Sequence, residues 1–279
     1  MAGPRSTYLQ AAGHEIHVTE WGDPAAPAVV MWHGLARTGR DFDEAASSLS
    51  QSHFVLCPDT IGRGLSSWAG AKDYNPAVYA GTALALLDAY SIERFAWVGT
   101  SMGGIVGMLM AGALTPDRVS HLVLNDIGPV LEIAALKRIG SYVGNPPRFD
   151  RVSAFEAWLR ETYAPFGENT EAFWRRMADT SARRLPDGAI TVHYDPAIAE
   201  GFAELDESAA GDLWPQYDAI TAKTLILRGE RSDLLPAWLA QEMTRRGPKP
   251  RCVSFSGVGH APTLANAEQI AVLKAFLAD

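Results

Sequence analysis

The stretch Phe95-Ala96-Trp97-Val98-Gly99-Thr100-Ser101-Met102-Gly103-Gly104 changes character in its middle. Phe95 to Val98 is a short apolar run suited to a buried strand, and Met102 to Leu114 is an apolar run long enough for a helix. Ser101 stands between them, with Gly99 and Gly103 two residues away on either side. A serine on so abrupt a strand-to-helix turn has a strained backbone and needs small flanking residues. The pattern Gly-x-Ser-x-Gly carries little weight alone; its position between strand and helix gives it meaning. The helix that starts after Ser101 turns its positive dipole end toward the serine and toward any anion formed there.

Outward from this turn, similar apolar runs recur: Ala28 to Trp32, Phe54 to Cys57, Leu122 to Leu124, Thr224 to Leu227 and Cys252 to Phe255. Helical stretches separate most of them, among them Pro76 to Tyr90, with Asn75 as its cap, and Glu268 to Leu277. Strand alternating with helix predicts an α/β fold, a parallel sheet covered on both faces. The rhythm breaks between about Pro129 and Leu213. There the strand-like runs vanish, and helix-favouring segments such as Ser153 to Tyr163 and Glu171 to Ala182 take over. Residues 129–213 are therefore expected to form a helical cap on a core made of residues 1–128 and 214–279. Its aromatic residues, with those just beyond it, are Trp158, Tyr163, Phe166, Phe173, Trp174, Phe202 and Trp214. Most are expected to pack among themselves, and some to face a cavity shared with the sheet.

The 279 residues are 47% hydrophobic and 20% charged, enough for a large core. A net charge of −8, with Lys and Arg scattered along the chain, offers no field to a polyanion, so nucleic acid is not an expected partner. Met1 to Gly13 lacks the apolar run of a secretion signal, and Met102 to Leu114 is too short to span a bilayer. A cytoplasmic protein with no membrane partner is expected. Cys57 and Cys252 sit in strand-like runs and read as buried thiols. His14 and His17 are three apart in an alternating segment, on opposite faces, which gives no metal site. Nothing in the sequence fixes the oligomeric state.

A serine hydroxyl needs a base to take its proton and an acid to hold that base in the right tautomer. Of the histidines after Ser101, His121 opens a strand far from its C-terminal end, and His193 lies in the inserted block. His260, in Gly257-Val258-Gly259-His260-Ala261-Pro262 past the last strand, is the expected base. Asp233 follows Thr224 to Leu227 through the loop Gly229-Glu230-Arg231-Ser232 and is the expected acid. Asp126, in Asn125-Asp126-Ile127-Gly128-Pro129, is the alternative, and Glu230 is a further rival. A tetrahedral intermediate also needs two donors. The N–H groups of Met102 and of Leu35, after His33-Gly34, fit that role. His33, Gly34, Arg37, Trp158 and Trp214 are the expected substrate contacts, with Arg37 and Arg40 able to meet a carboxylate.

Taken together, His33-Gly34, the segment Asp59-Thr60-Ile61-Gly62-Arg63-Gly64-Leu65-Ser66, the serine turn, Asp233 and His260 resemble the α/β-hydrolase superfamily over nearly the whole chain. That family often has Arg or Pro at the place of Ile61, and His or an aromatic at the place of Arg63. The resemblance implies an eight-stranded, mostly parallel sheet with the cap inserted after the sixth strand. The complete set of nucleophile, base, acid and donors leads to the expectation of carboxylic-ester hydrolysis through an acyl-enzyme, without a cofactor. The aromatic cap, with few cationic residues near the motifs, favours small to medium apolar acyl substrates. C–C bond hydrolysis or lactone opening on the same residues is the alternative chemistry, and a non-catalytic small-molecule receptor is the alternative class.

Overall fold

In the computed structural model, which describes residues 3–131, 133–200 and 211–279, the alternating N-terminal segment folds as a hairpin of β1 (Arg5–Ala11) and β2 (His14–Trp21). β1 exposes most of its side chains and takes one edge of the sheet. The unbroken apolar runs supply the interior strands β3 (Ala28–Trp32), β4 (Phe54–Pro58), β5 (Phe95–Thr100) and β6 (Val119–Asn125). Farther along, β7 (Ala182–Arg184) and β8 (Ile190–Val192) pair only with each other, while β9 (Lys223–Gly229) and β10 (Arg251–Phe255) complete the main sheet. That sheet has eight strands in the order β1-β2-β4-β3-β5-β6-β9-β10 and is parallel except where β2 pairs with β1 and β4.

A strand that is apolar at every position needs cover on both faces. In β3, Val30 and Trp32 join one core cluster while Val29 and Met31 join another. β5 divides in the same way, Phe95 and Trp97 on one face, Ala96 and Val98 on the other. The helices α1 (Asp43–Leu49), α2 (Pro76–Ala89) and α3 (Met102–Leu109) supply the cover. Leu86 and Leu87 of α2 and Val106 of α3 close the first face, and Ala45, Ala46 and Leu49 of α1 the second. Trp32 and Trp97 stack at 5.3 Å beneath α3, and the Trp97 indole donates to Gly103 O at 2.9 Å, tying the first turn of α3 to the sheet. The apolar run does not continue as one α-helix to Leu114: from Met110 the turns widen to a π-helix, where Thr115 N–H reaches Met110 O.

Between β6 and β9 none of the described residues adds a strand to the main sheet. The chain forms α4 (Ile133–Val143), α5 (Val152–Thr162) and α6 (Glu171–Ser181), then re-enters through α7 (Trp214–Asp218). Phe155 and Leu159, four apart on α5, and Phe173, Trp174 and Met177 on α6 bury one face of each helix in a separate cluster with Ile139 and Val143. The hairpin β7–β8 corrects the expectation that this stretch holds no strands. Each of its strands is only three residues long, too short to show a period. Leu213 N–H donates to Pro129 O at 2.9 Å, so the two ends of the segment meet. Phe202 lies outside the described residues. The last helices, α8 (Ala237–Met243) and α9 (Ala267–Leu277), return to the two faces of the sheet. Cys57 is buried as expected, whereas Cys252, on edge strand β10, is half-buried.

Candidate active site

Ser101 sits between the last residue of β5 and the first of α3, with φ 53° and ψ −117°. A non-glycine residue in that region stores roughly 1–3 kcal/mol of strain and persists only where its surroundings force it. The forcing is visible in the two glycines. A Cβ on Gly99 would lie 2.2 Å from Gly103 O, and one on Gly103 would lie 2.0 Å from Trp32 O. Both obstacles are backbone, so neither position accepts a side chain.

His260 Nε2 faces Ser101 Oγ at 3.0 Å, and its Nδ1 faces Asp126 Oδ2 at 2.7 Å. A carboxylate on Nδ1 holds the proton there and leaves the Nε2 lone pair to accept the Ser101 hydroxyl. The structure thus brings Ser101 and His260 together as expected, but it places Asp126, not Asp233, behind the imidazole. Asp126 follows β6 directly and is completely buried. Its N–H donates to Leu227 O, and its Oδ1 accepts the Gly229 N–H at 2.8 Å. Asp233 is exposed on the loop beyond β9. In that loop Ser232 Oγ donates to Asp126 Oδ2 at 2.6 Å and accepts the N–H groups of Leu234 and Leu235, so the loop turns its serine, not its aspartate, inward. Glu230 is exposed as well, held by Ser256 and the Gly257 N–H.

Gly34 packs against the nucleophile turn: a Cβ there would meet Ser101 Cβ at 3.7 Å. Leu35 follows Gly34 in the loop after β3 and Met102 follows Ser101, and among the described residues neither N–H donates to a protein acceptor. His33 anchors this loop and also borders the cavity above Ser101. It is fully buried, with Nδ1–H donating to Gly34 O at 2.7 Å and Nε2 accepting the Thr60 N–H at 2.9 Å. Burial pushes its pKa down to about 4, so the ring is neutral.

Arg63, which departs from the family pattern, buttresses the same loop. Its guanidinium is wholly buried and donates to Leu35 O at 2.8 Å, Ile61 O at 2.7 Å and Tyr79 Oη at 2.9 Å. It also lies against Met102 Sδ and the faces of Tyr74 and Tyr79, and burial lowers its pKa. Among the described residues it has no salt-bridge partner. Sequence reasoning noted Arg63 only as an oddity.

A cavity of about 70 Å³ opens above Ser101. Its apolar wall comes from Phe42 and, across the inserted segment, from Ile139, Tyr163, Phe166 and Phe173. Trp158 and Trp214 do not line it. Trp158 packs on Phe149 and Phe155 inside the inserted cluster, and Trp214 packs on Tyr217 beneath Arg246. Large rings on amphipathic helices fill the nearest core first, which identity alone does not reveal. Arg37 does line the cavity, bidentate on Asp41 at 2.8 and 2.6 Å, with Ser181 Oγ at 3.0 Å and the Tyr163 ring at 4.9 Å. Arg40 instead grips Asp43, outside the cavity.

Comparison with known proteins matches residues 29–273 to a model of the alpha/beta hydrolase family. A 3-hydroxybutyrate-oligomer hydrolase of Cupriavidus necator is 40% identical over 288 aligned residues, covering 99% of this chain and 98% of that protein. A 2-hydroxymuconate semialdehyde hydrolase of Pseudomonas putida is 26% identical, covering 97% and 93%. The crystal structure of an alpha/beta hydrolase from Novosphingobium aromaticivorans aligns with a TM-score of 0.89 at 36% identity, covering 100% of this chain and 99% of that one.

Proposed function

The chain belongs to the alpha/beta hydrolase family, and on that premise we propose that it hydrolyses short carboxylic esters through an acyl group carried on Ser101. The observation that supports this most is the hydrogen-bonded series Ser101, His260, Asp126 at the strained turn, beside two amides without acceptors. In the proposed reaction Ser101 Oγ attacks the acyl carbon while His260 Nε2 takes its proton. The carbonyl oxygen, now negative, receives the Leu35 and Met102 N–H groups. His260 returns the proton to the leaving alcohol, then activates the water that releases the acid. Asp126 stays ionised throughout, orienting the ring and offsetting its positive charge. The segment 129–213 acts as a cap that shapes the acyl site.

The substrate class follows from size and wall chemistry. A cavity this small above Ser101 suits a short acyl unit better than a long chain. Its wall is mostly apolar, and the Arg37–Asp41 pair in it can hydrogen-bond a hydroxyl on an otherwise apolar unit. The similarity to a 3-hydroxybutyrate-oligomer hydrolase is consistent with short oligoesters of hydroxy acids. The C–C alternative needs a cation for a substrate carboxylate, and in this cavity Arg37 is already engaged by Asp41. Turnover of 3-hydroxybutyrate trimer, p-nitrophenyl butyrate and a vinylogous diketo acid, each with wild type and Ser101→Ala, tests the reading. Cleavage of the esters that disappears in Ser101→Ala supports it. Cleavage of the diketo acid alone, or full ester turnover by Ser101→Ala, would sink it.

A further inference from the structure

Ser6, His17 and Asp59 repeat the order of groups found at the active site, on a different part of the molecule. Ser6 Oγ–H donates to His17 Nε2 at 2.6 Å, and His17 Nδ1–H donates to Asp59 Oδ2 at 2.8 Å. Asp59 also accepts the Gly39 N–H on Oδ1 and the Leu65 N–H on Oδ2. Burial opposes its charge, yet the His17 bond and these amides hold its carboxyl below the usual range. A firm carboxylate on Nδ1 leaves the Nε2 lone pair pointing at Ser6, the tautomer a general base requires. His17 and Asp59 are buried, at 3% and 2% exposure, whereas Ser6 is exposed on edge strand β1.

The Ser6 hydroxyl opens on a crevice of about 390 Å³ bounded by the hairpin, the loop after β3 and the end of α6. Thr38, whose hydroxyl is buried with no hydrogen-bond partner among the described residues, lines the crevice, together with Arg40, which is paired with Asp43, and with Asp59 and Asp179. A hydrogen bond that only fastened β1 to β2 would need neither an ionised third member nor an accessible hydroxyl.

We propose that Ser6 is an acyl-acceptor site, a hydroxyl activated by His17 that takes the acyl group of an activated carboxylic ester. Ser6 Oγ bonds to the acyl carbon and the ester C–O bond breaks. The Ser6 proton passes through His17 Nε2 to the departing alkoxide, which leaves as alcohol. A positioned base accelerates such a step by about 10²–10⁴-fold. Ser6 lies in a regular strand with no helix N-terminus behind it, and each missing oxyanion donor costs about 10²–10³-fold. The site therefore acylates slowly, as a modification site beside the turnover centre.

The test uses the whole chain carrying Ser101→Ala, which removes reaction at the serine turn and makes the result independent of the function proposed above. The protein is incubated with p-nitrophenyl acetate or a fluorophosphonate, then analysed by intact mass and peptide mapping. One added group on the peptide containing Ser6 is expected, absent when Ser6→Ala is added and about a hundredfold or more slower to form with His17→Gln. His17→Gln also disturbs Asp59, so Ser6→Cys gives a second readout. Its thiol is expected to react with iodoacetamide about tenfold faster than the thiol of Gln10→Cys, an exposed position on the same strand. An unlabelled Ser6, labelling indifferent to His17, or equal thiol rates would overturn the proposal.

Discussion

Asp126→Asn separates the two aspartates, and its effect can be worked from the hydrogen bonds. Asp126 Oδ1 accepts the Gly229 N–H at 2.8 Å, while Oδ2 faces His260 Nδ1 at 2.7 Å and Ser232 Oγ at 2.6 Å. An amide keeps only one oxygen. The Gly229 N–H belongs to β9 and cannot turn away, so the oxygen stays on it and the NH₂ group faces His260. Two N–H groups cannot oppose each other, and His260 must move its proton to Nε2. There it blocks acceptance of the Ser101 proton. This tautomer reversal costs about 10⁴-fold in kcat in the serine protease in which it was defined, or about 5 kcal/mol. Ser232 Oγ, whose lone pairs already take the Leu234 and Leu235 N–H groups, loses its acceptor, which is expected to cost about 1–3 kcal/mol of stability. Stopped-flow acylation with p-nitrophenyl butyrate, alongside circular dichroism, measures both. Asp233→Asn is the control, expected to stay within about twofold of wild type, because exposed substitutions change little. An Asp126→Asn enzyme within tenfold of wild type, or an Asp233→Asn enzyme reduced a hundredfold, would refute the assignment.

Three further outcomes follow from the same geometry. Gly103→Ala forces a Cβ to 2.0 Å from Trp32 O and should destabilise the fold by about 3 kcal/mol or more in urea unfolding; a stable, active variant would contradict the packing described. Arg63→Met leaves Leu35 O, Ile61 O and Tyr79 Oη without their donor and loosens the Leu35 amide. Its kcat should fall about a hundredfold with KM little changed, and a loss confined to KM would count against a role behind that amide. His33 has a folded pKa of about 4 against 6.5 for the free group, so the unfolded chain binds the proton first as pH falls. The stability from keeping this ring neutral is complete above pH 6.5 and lost toward pH 4, about 3 kcal/mol in all. Urea midpoints of wild type and His33→Gln between those pH values should diverge, and parallel slopes would exclude the effect.

The sheet was legible because buried parallel strands announce themselves as short apolar runs, and Ala28–Trp32 and Phe95–Thr100 lie where those runs lie. Ser101 and His260 were legible because strained turns and glycine-rich loops leave traces in residue type. The acid was not. Asp126 and Asp233 both follow strands whose C-terminal ends reach the same edge of the sheet, and only the direction of the loop after Gly229 decides between them. That direction depends on Ser232, whose three hydrogen bonds cannot be read from spacing. Trp158 and Trp214 show the other limit: aromatic identity predicts burial but not which of two cores receives the ring. Tyr163, Phe166 and Phe173 carried the same signal and reached the cavity.

Asp126 is fixed by the backbone of β9, through Leu227 O and Gly229 N, and not by the residues that follow it. A few residues later the chain leaves the sheet, and Pro129 O meets Leu213 N–H where it comes back. For protein engineering this marks a suture line. A foreign module with adjacent ends could be grafted between 129 and 213 without realigning the proton relay, so chimeras built at that seam should exchange specificity while inheriting the chemistry. A graft cut at 126 would sever both.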